Sequence, residues 1–286
     1  MMRDLHAPLS NIAESDARLA SEGAWRRGQL SELAEGLSRA LYDRREVASA
    51  RELFSLAAFT AREEGISLPS ARDRADLAVF LLREAERRFG RLGPVALLGA
   101  AHALPTRGRT VLIDSPPSQE AYTRFSRLLH SPAPLQRSSL RALSDDVASG
   151  YADFAVLPLF AGGAPIGSVW GMIEERGLGV LCTTHITADA EEQELGLVAR
   201  DPAVLLPPTH LAVSYAVNEA EEAVLSLAAA AALGLSPLHF EGAPLFRGAD
   251  TVICRAVLRG EGISDFIAYL LLFAKDFSVL GLYSEL

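Results

Sequence analysis

The sequence predicts a multidomain α + α/β protein: an all-helical N-terminal unit, a central α/β unit and a C-terminal βαββαβ unit. Three observations predict it. Apolar residues recur at helical spacing across residues 7–90, and no strand-like alternation interrupts them. Between residues 142 and 185 a helix, a buried strand, a Gly/Pro-rich turn, a second helix and a second apolar strand follow one another. From residue 209 onward the order of patterns is strand, helix, strand, strand, helix, strand.

Composition sets the outer limits. A chain of 286 residues suits two or three domains with ample core. A net charge of −9 argues against nucleic acid as a main partner. No apolar run has the ~18–20 residues of a membrane span, and the N-terminal MMRDLHAPLSNIAESD has no signal-peptide core, so a cytoplasmic protein is expected. Cys182 and Cys254 fall in predicted strands and read as buried thiols rather than a disulfide or a metal pair. Lys275 is the only lysine, so nearly all positive charge is arginine, the side chain best suited to clamping carboxylates.

In the helical unit, residues 1–90, the apolar pattern marks helices through Ile12–Leu19, Leu30–Leu41, Val47–Phe59 and Leu77–Phe89. Ser67–Ser70 reads as a turn with a cap before the last helix. Residues 91–108, with Gly and Pro at both ends, read as a linker, and His102 within it as a packed or surface histidine.

The central unit, residues 109–208, opens with a strand at Thr110–Ile113, a loop carrying Ser115 and Ser118, and a helix over Glu120–Leu129. A helix at Leu143–Ser149 then stops at Gly150. The strand Phe154–Leu159, the helix Ser168–Glu175 and the strand Leu178–Thr183 form an expected parallel βαβ unit. Its glycine-rich loop places Gly167 and Ser168 at a helix N-terminus, where small anions are commonly held. Thr183-Thr184-His185 ends the second strand, and an acidic stretch with Glu191, Glu192 and Glu194 follows.

In the third unit, residues 209–286, strands are expected at Leu211–Val217, near Leu238–Phe240, at Thr251–Leu258 and at Ser278–Tyr283, with helices at Glu221–Leu233 and Ser264–Phe273. That order is ferredoxin-like.

Val147, Gly150, Ala152, Asp153, Val156, Pro158, Gly167, Ser168 and Val169 together resemble the prephenate dehydratase pattern A-V-x-x-G-x-A-D-Y-x-V-x-P-I-E-N-S…G-S-V. The resemblance implies a periplasmic-binding-protein-like α/β domain in which Ser115, Ser118, Gly167, Ser168 and Thr184 bind a small carboxylate of the chorismate or prephenate type. The family's Glu-Asn is Phe160-Ala161 here, and its catalytic Thr-Arg-Phe has no counterpart near Gln193–Gly196. The triplet Thr123-Arg124-Phe125 lies in another segment and reads as coincidence.

Ile12-x-x-x-Asp16, Leu19, Arg26-Arg27, Leu30, Arg39 and Arg51-Glu52 resemble the all-helical chorismate mutase family, often fused ahead of a dehydratase. The resemblance implies Arg26, Arg39, Arg51 and Glu52 as catalytic residues, with Arg27 and Arg88 binding substrate; the extra carboxylate of Glu84 repels a dianionic substrate unless Arg88 neutralises it. A pericyclic rearrangement asks only for positioning and charge stabilisation, which guanidinium groups supply. Val279-Leu280-Gly281-Leu282-Tyr283 and Arg259-Gly260-Glu261-Gly262 resemble the ACT regulatory domain. Glu221-Glu222-Ala223 and Glu241-Gly242-Ala243-Pro244 stand where that domain's phenylalanine-binding turns would be, so a dimerising module is expected rather than phenylalanine feedback.

The expected protein is a divergent chorismate mutase–prephenate dehydratase, its mutase half better retained, forming a homodimer and using no cofactor or metal. Two alternatives stand beside it: a non-catalytic relative that binds a metabolite or partner, and a non-aromatising decarboxylation of a prephenate-like acid.

Overall fold

The computed structural model describes residues 23–25, 27–36, 49–63, 68, 70–98, 108–129, 133–188, 191–200, 204–245 and 250–286. The expected helix at Ile12–Leu19, the candidate residues Arg26 and Arg39, and His102 lie outside the described residues.

The central unit is built on β1 (Thr110–Ile113), β2 (Leu135–Arg137), β3 (Phe154–Ala161), the short β4 (Ala164–Pro165), β5 (Gly179–Ala188) and β6 (Glu191–Ala199). Alternation along β3 decides the layering, because successive side chains point to opposite faces. Phe154 and Val156 face α5 (Pro116–Leu129), packing with Leu112, Phe125 and Leu197. Ala155, Leu157 and Leu159 face α6 (Leu140–Ala148) and α7 (Gly167–Glu175), packing with Val169, Trp170 and Ile173. A strand buried on both faces needs a nearly continuous apolar run, as in FAVLPLFA. Helix α5 starts at Pro116, four residues earlier than expected, since proline is tolerated in a helix's first turn. Gly150 follows α6 in a left-handed conformation, φ 78°, and its chain stop is as the sequence predicts.

One expectation needs correcting. Strands β3 and β5 are not neighbours: β6 lies between them, antiparallel to both. The α7 crossover therefore skips one strand position, and the acidic segment expected to flank a strand forms part of β6 itself. Strand β5 also continues past Thr183 to Ala188, because β6 pairs with it along that whole length.

The C-terminal unit comprises β7 (His210–Val217), α8 (Ala220–Ala232), β8 (Leu235–Pro244), β9 (Val252–Gly260), α9 (Ile263–Phe273) and β10 (Asp276–Tyr283). Its strands lie in the order β10-β7-β9-β8, every neighbouring pair antiparallel, which is the ferredoxin-like arrangement. Helix α9, ISDFIAYLLLF, is apolar nearly all round, and such a helix requires burial on more than one side. The sheet covers one side. The N-terminal helices cover the other.

Those helices are α1 (residues 23–25 and 27–36), α2 (Ala50–Glu63), α3 (Ala71–Phe89) and α4 (Pro94–Leu98). Leu53, Phe54 and Ala57 of α2, Ala78, Leu81 and Ala85 of α3, and Leu97 of α4 share one core with Phe266, Ile267 and Leu270 of α9 and with Ala229 and Ala230 of α8. Part of the segment expected to be a linker is thus a helix with Leu97 buried. Among the described residues no helix is long and apolar enough to cross a membrane.

The central and C-terminal units join through backbone. Strand β10 pairs in parallel with β5 at Gly281↔Val180, and the pairing runs on through Thr183 N–H to the Ser284 carbonyl (3.1 Å) and Leu286 N–H to the Thr183 carbonyl (2.9 Å). A single sheet of ten strands results, ordered β2-β1-β3-β6-β5-β10-β7-β9-β8 with β4 beside β3. Glu174 of α7 braces the seam, accepting from Ser214 Oγ at 2.6 Å and from Arg255 Nε at 2.6 Å.

Candidate functional site

The joined sheet places two cross-strand rows of polar residues side by side. In the first, Phe160 of β3 pairs with Glu194 of β6, and Glu194 with His185 of β5. In the second, Tyr283 of β10 pairs with His210 of β7, and His210 with Arg259 of β9. The parallel bridge Thr183↔Glu285 links them, bringing the penultimate residue beside His185. Between the rows lies a cavity of about 220 Å³, walled by Phe160, His185, Glu194, His210, Arg259 and Glu285. Glu192, Gly163 and Leu238 complete its rim. Glu192 and Glu194 reach it together because residues two apart on a strand share a face.

His185 is ringed by carboxylates. Its Nδ1 lies 3.2 Å from Glu192 Oε1, and its Nε2 lies 3.6 Å from Glu285 Oε1 and 3.9 Å from Glu194 Oε2. Burial pushes the Glu194 carboxyl above the usual carboxylate range, and Glu285 and Glu192 push the same way against Thr183 and His185. Burial also lowers His210, with nearby Arg259 adding to the effect, so its imidazole is held towards the neutral form. Tyr283 stacks on His210 with ring centroids 5.0 Å apart and planes within 7°. Its hydroxyl is buried without a hydrogen-bond partner among the described residues, and burial, with Glu194 adding to it, raises it well above the ordinary phenol value. Among the described residues no group of three or more His, Cys, Asp or Glu side chains is arranged to hold a metal ion.

None of the described candidates from the sequence lines this cavity. Ser115 and Ser118 do come together, but on each other: Ser115 Oγ donates to Ser118 Oγ at 2.9 Å. The same loop carries Asp114, whose Oδ1 accepts from Gln119 Nε2 at 2.7 Å and Gln136 Nε2 at 2.9 Å. The chain's own carboxylate thus stands before α5, where the resemblance implies a substrate carboxylate. Thr184 is buried, and its hydroxyl accepts from Arg124 Nη1 at 2.9 Å. Arg124 also donates to the His185 carbonyl at 2.9 Å, so this arginine ties α5 to β5. Gly167 and Ser168 are exposed at the start of α7. Gly167 borders a crevice with Trp170 and Arg255 of about 10 Å³, about the volume one water needs.

On the helices, Arg27, Arg51 and Arg88 are exposed. Arg51 Nη1 donates to the Leu98 carbonyl at 3.5 Å, Arg88 lies over the Phe89 ring at 5.2 Å, and Ser49 Oγ caps the turn by accepting from the Glu52 backbone N–H at 3.2 Å. The predicted thiols are buried in β5 and β9, which pushes Cys182 up to about 12 and Cys254 up to about 11.

No protein-family model matches the chain, and no curated protein matches it. Solved structures do. A prephenate dehydratase from Streptococcus mutans superposes at a TM-score of 0.50, with 10% identity over 62% of this chain and 98% of its own. That part of the chain has a prephenate dehydratase-like fold. A dehydratase from Arthrobacter aurescens, in complex with L-Phe, gives a TM-score of 0.48 at 11% identity over 62% of this chain and 90% of its own. GqqA, described as a novel type of quorum quenching acylase, gives 0.48 at 18% identity over 61% and 94%. The dehydratase fold thus accounts for a little under two thirds of this chain.

Proposed function

We propose that this chain is a divergent relative of the chorismate–prephenate branch that binds a small metabolite and does not dehydrate prephenate. One observation carries the reading. The place before α5 that would receive a substrate carboxylate is filled by Asp114 and closed by the Ser115–Ser118 pair, while open volume exists instead between His185 and His210. A fixed carboxylate there repels a dianionic substrate and already uses the favourable field of the helix N-terminus.

The helical half supports binding over mutase turnover in the same way. The side chains α2 and α3 turn inward are Leu53, Phe54, Ala57, Ala78, Leu81 and Ala85, which fill the shared core, whereas Arg51 faces solvent. A pericyclic site needs guanidinium groups converging in a dry pocket.

The test is a proton NMR time course of the purified protein with chorismate and, separately, with prephenate, paired with thermal denaturation of the same samples. The expected result is no turnover in either tube, and a rise in melting temperature in a parallel sample holding a metabolite of this branch that carries an amino group. Prephenate formed from chorismate would overturn the reading of the helices. Phenylpyruvate formed from prephenate would overturn that of the α5 loop.

A further inference from the structure

We infer that the cavity between β5/β6 and β7/β9 takes a ligand bearing a primary ammonium group on a short apolar body, rather than the dicarboxylate its fold would suggest. The inference rests on the small-molecule reading above and specifies the chemistry of the site. Charge is its first support. Three carboxylates, Glu192, Glu194 and Glu285, surround His185 and face one guanidinium, that of Arg259, while the His210 imidazole is held towards neutrality by its surroundings. A dianion entering this field is repelled, whereas a cation is drawn in.

The second support is unmet bonding. Glu194 is only 11% exposed, and among the described residues the basic group paired with it is His185, at 3.9 Å. A carboxylate so buried is costly unless a cation sits within bonding distance. The carboxylates of Glu192 and Glu285 line the same wall, and buried polar groups in folded proteins are ordinarily satisfied. An ammonium group offers three N–H donors to such acceptors. Phe160, paired in register with Glu194, supplies an apolar wall for the body of the ligand. The cavity, about 220 Å³, has room for a molecule of leucine's size.

Three probes share one branched alkyl body and differ only in charge: 3-methylbutylamine, L-leucine and 4-methylpentanoate. Each is titrated calorimetrically into the full chain at pH 7.5, alongside the Glu194→Gln/Glu285→Gln double variant. The expected result is millimolar or tighter binding of the amine or the amino acid, with the acid at least tenfold weaker. The double variant, folded by circular dichroism, should lose at least tenfold in affinity for the binding probe. Tighter binding of leucine than of the amine would assign Arg259 to the ligand carboxylate, and Arg259→Gln should then erase the difference. Binding of the acid at least as tight as that of the amine, an unaltered affinity in the double variant, or no binding by any probe overturns the inference. The last outcome, with chorismate or prephenate still raising the melting temperature without turnover, would leave the small-molecule reading standing. Turnover would overturn that reading by itself.

Discussion

Phe54 is fully buried in the core that the N-terminal helices share with α8 and α9, so Phe54→Ala should weaken both parts of the molecule together. Removing the ring forfeits a transfer free energy of about 3 kcal/mol. A residual void of roughly 80 Å³, at about 24 cal/mol per Å³, adds about 2 kcal/mol. The sum lies at the upper end of the ~3–5 kcal/mol typical of such truncations, partial collapse of the void bringing the lower end. At roughly 2–4 °C per kcal/mol the melting temperature should fall by about 6–20 °C. The informative assay is hydrogen exchange read by mass spectrometry on peptides from α2, α9 and β9. A shared core predicts faster exchange in α9, which α2 and α3 cover, as well as in α2 itself. Faster exchange confined to α2 and α3, with α9 unchanged, would mean that the helices form a core of their own and would refute the reasoning.

Two further perturbations probe the joined sheet. Glu194 has a raised folded pKa, so its protonated form is the favoured one: that stability is fully present below the unfolded value of about 4.3 and is lost as pH rises through the folded value. Glu194→Gln, which mimics the protonated state, should therefore raise the melting temperature at pH 7.5 and leave it unchanged near pH 3.5; an equal shift at both would sink the argument. At the seam, a Cβ on Gly281 would lie 2.9 Å from both the Cβ and the carbonyl oxygen of Val180. Gly281→Ala should cost about 1–3 kcal/mol in urea unfolding, and a neutral result would show that β10 can move away from β5 freely.

The fold was more legible than the site, and the reason is physical. Element type follows from local periodicity, and so the α6–Gly150–β3 run, α7 and the βαββαβ order of the third unit were all readable. Strand neighbours do not follow from local pattern: an antiparallel β6 slipped between β3 and β5 leaves their apolar runs unchanged. The shared core left a trace in ISDFIAYLLLF, whose all-round apolarity asks for a cover on each side, though not for which helices provide it. His185, His210, Glu285 and Arg259 are far apart in sequence and meet only through the β5–β10 pairing. The one local signal was the alternation Glu192-x-Glu194 beside a strand ending in His185. Similarly, Thr123-Arg124-Phe125 does not recreate a catalytic triplet: Phe125 is core, Thr123 Oγ1 returns to the Gln119 carbonyl at 2.9 Å, and Arg124 fastens α5 to β5.

Asp114 offers the sharpest test of whether the loop before α5 is arranged around an anion, because its effect is reversible in principle. It immediately precedes Ser115 and the first turn of α5, where the helix field favours negative charge although Pro116 and Pro117 have no N–H to offer. Two glutamine amides converge on its Oδ1, so the loop is arranged around an anion that happens to be covalent. Asp114→Ala removes that anion and leaves the Gln119 and Gln136 amides as unmatched donors. The variant should melt a few degrees below the parent, roughly 1–3 °C at low salt, and should recover that loss as acetate is added at constant ionic strength. The parent, with the place already filled, should show no such response. A variant whose melting temperature ignores acetate would mean that the loop never had the geometry to hold a carboxylate.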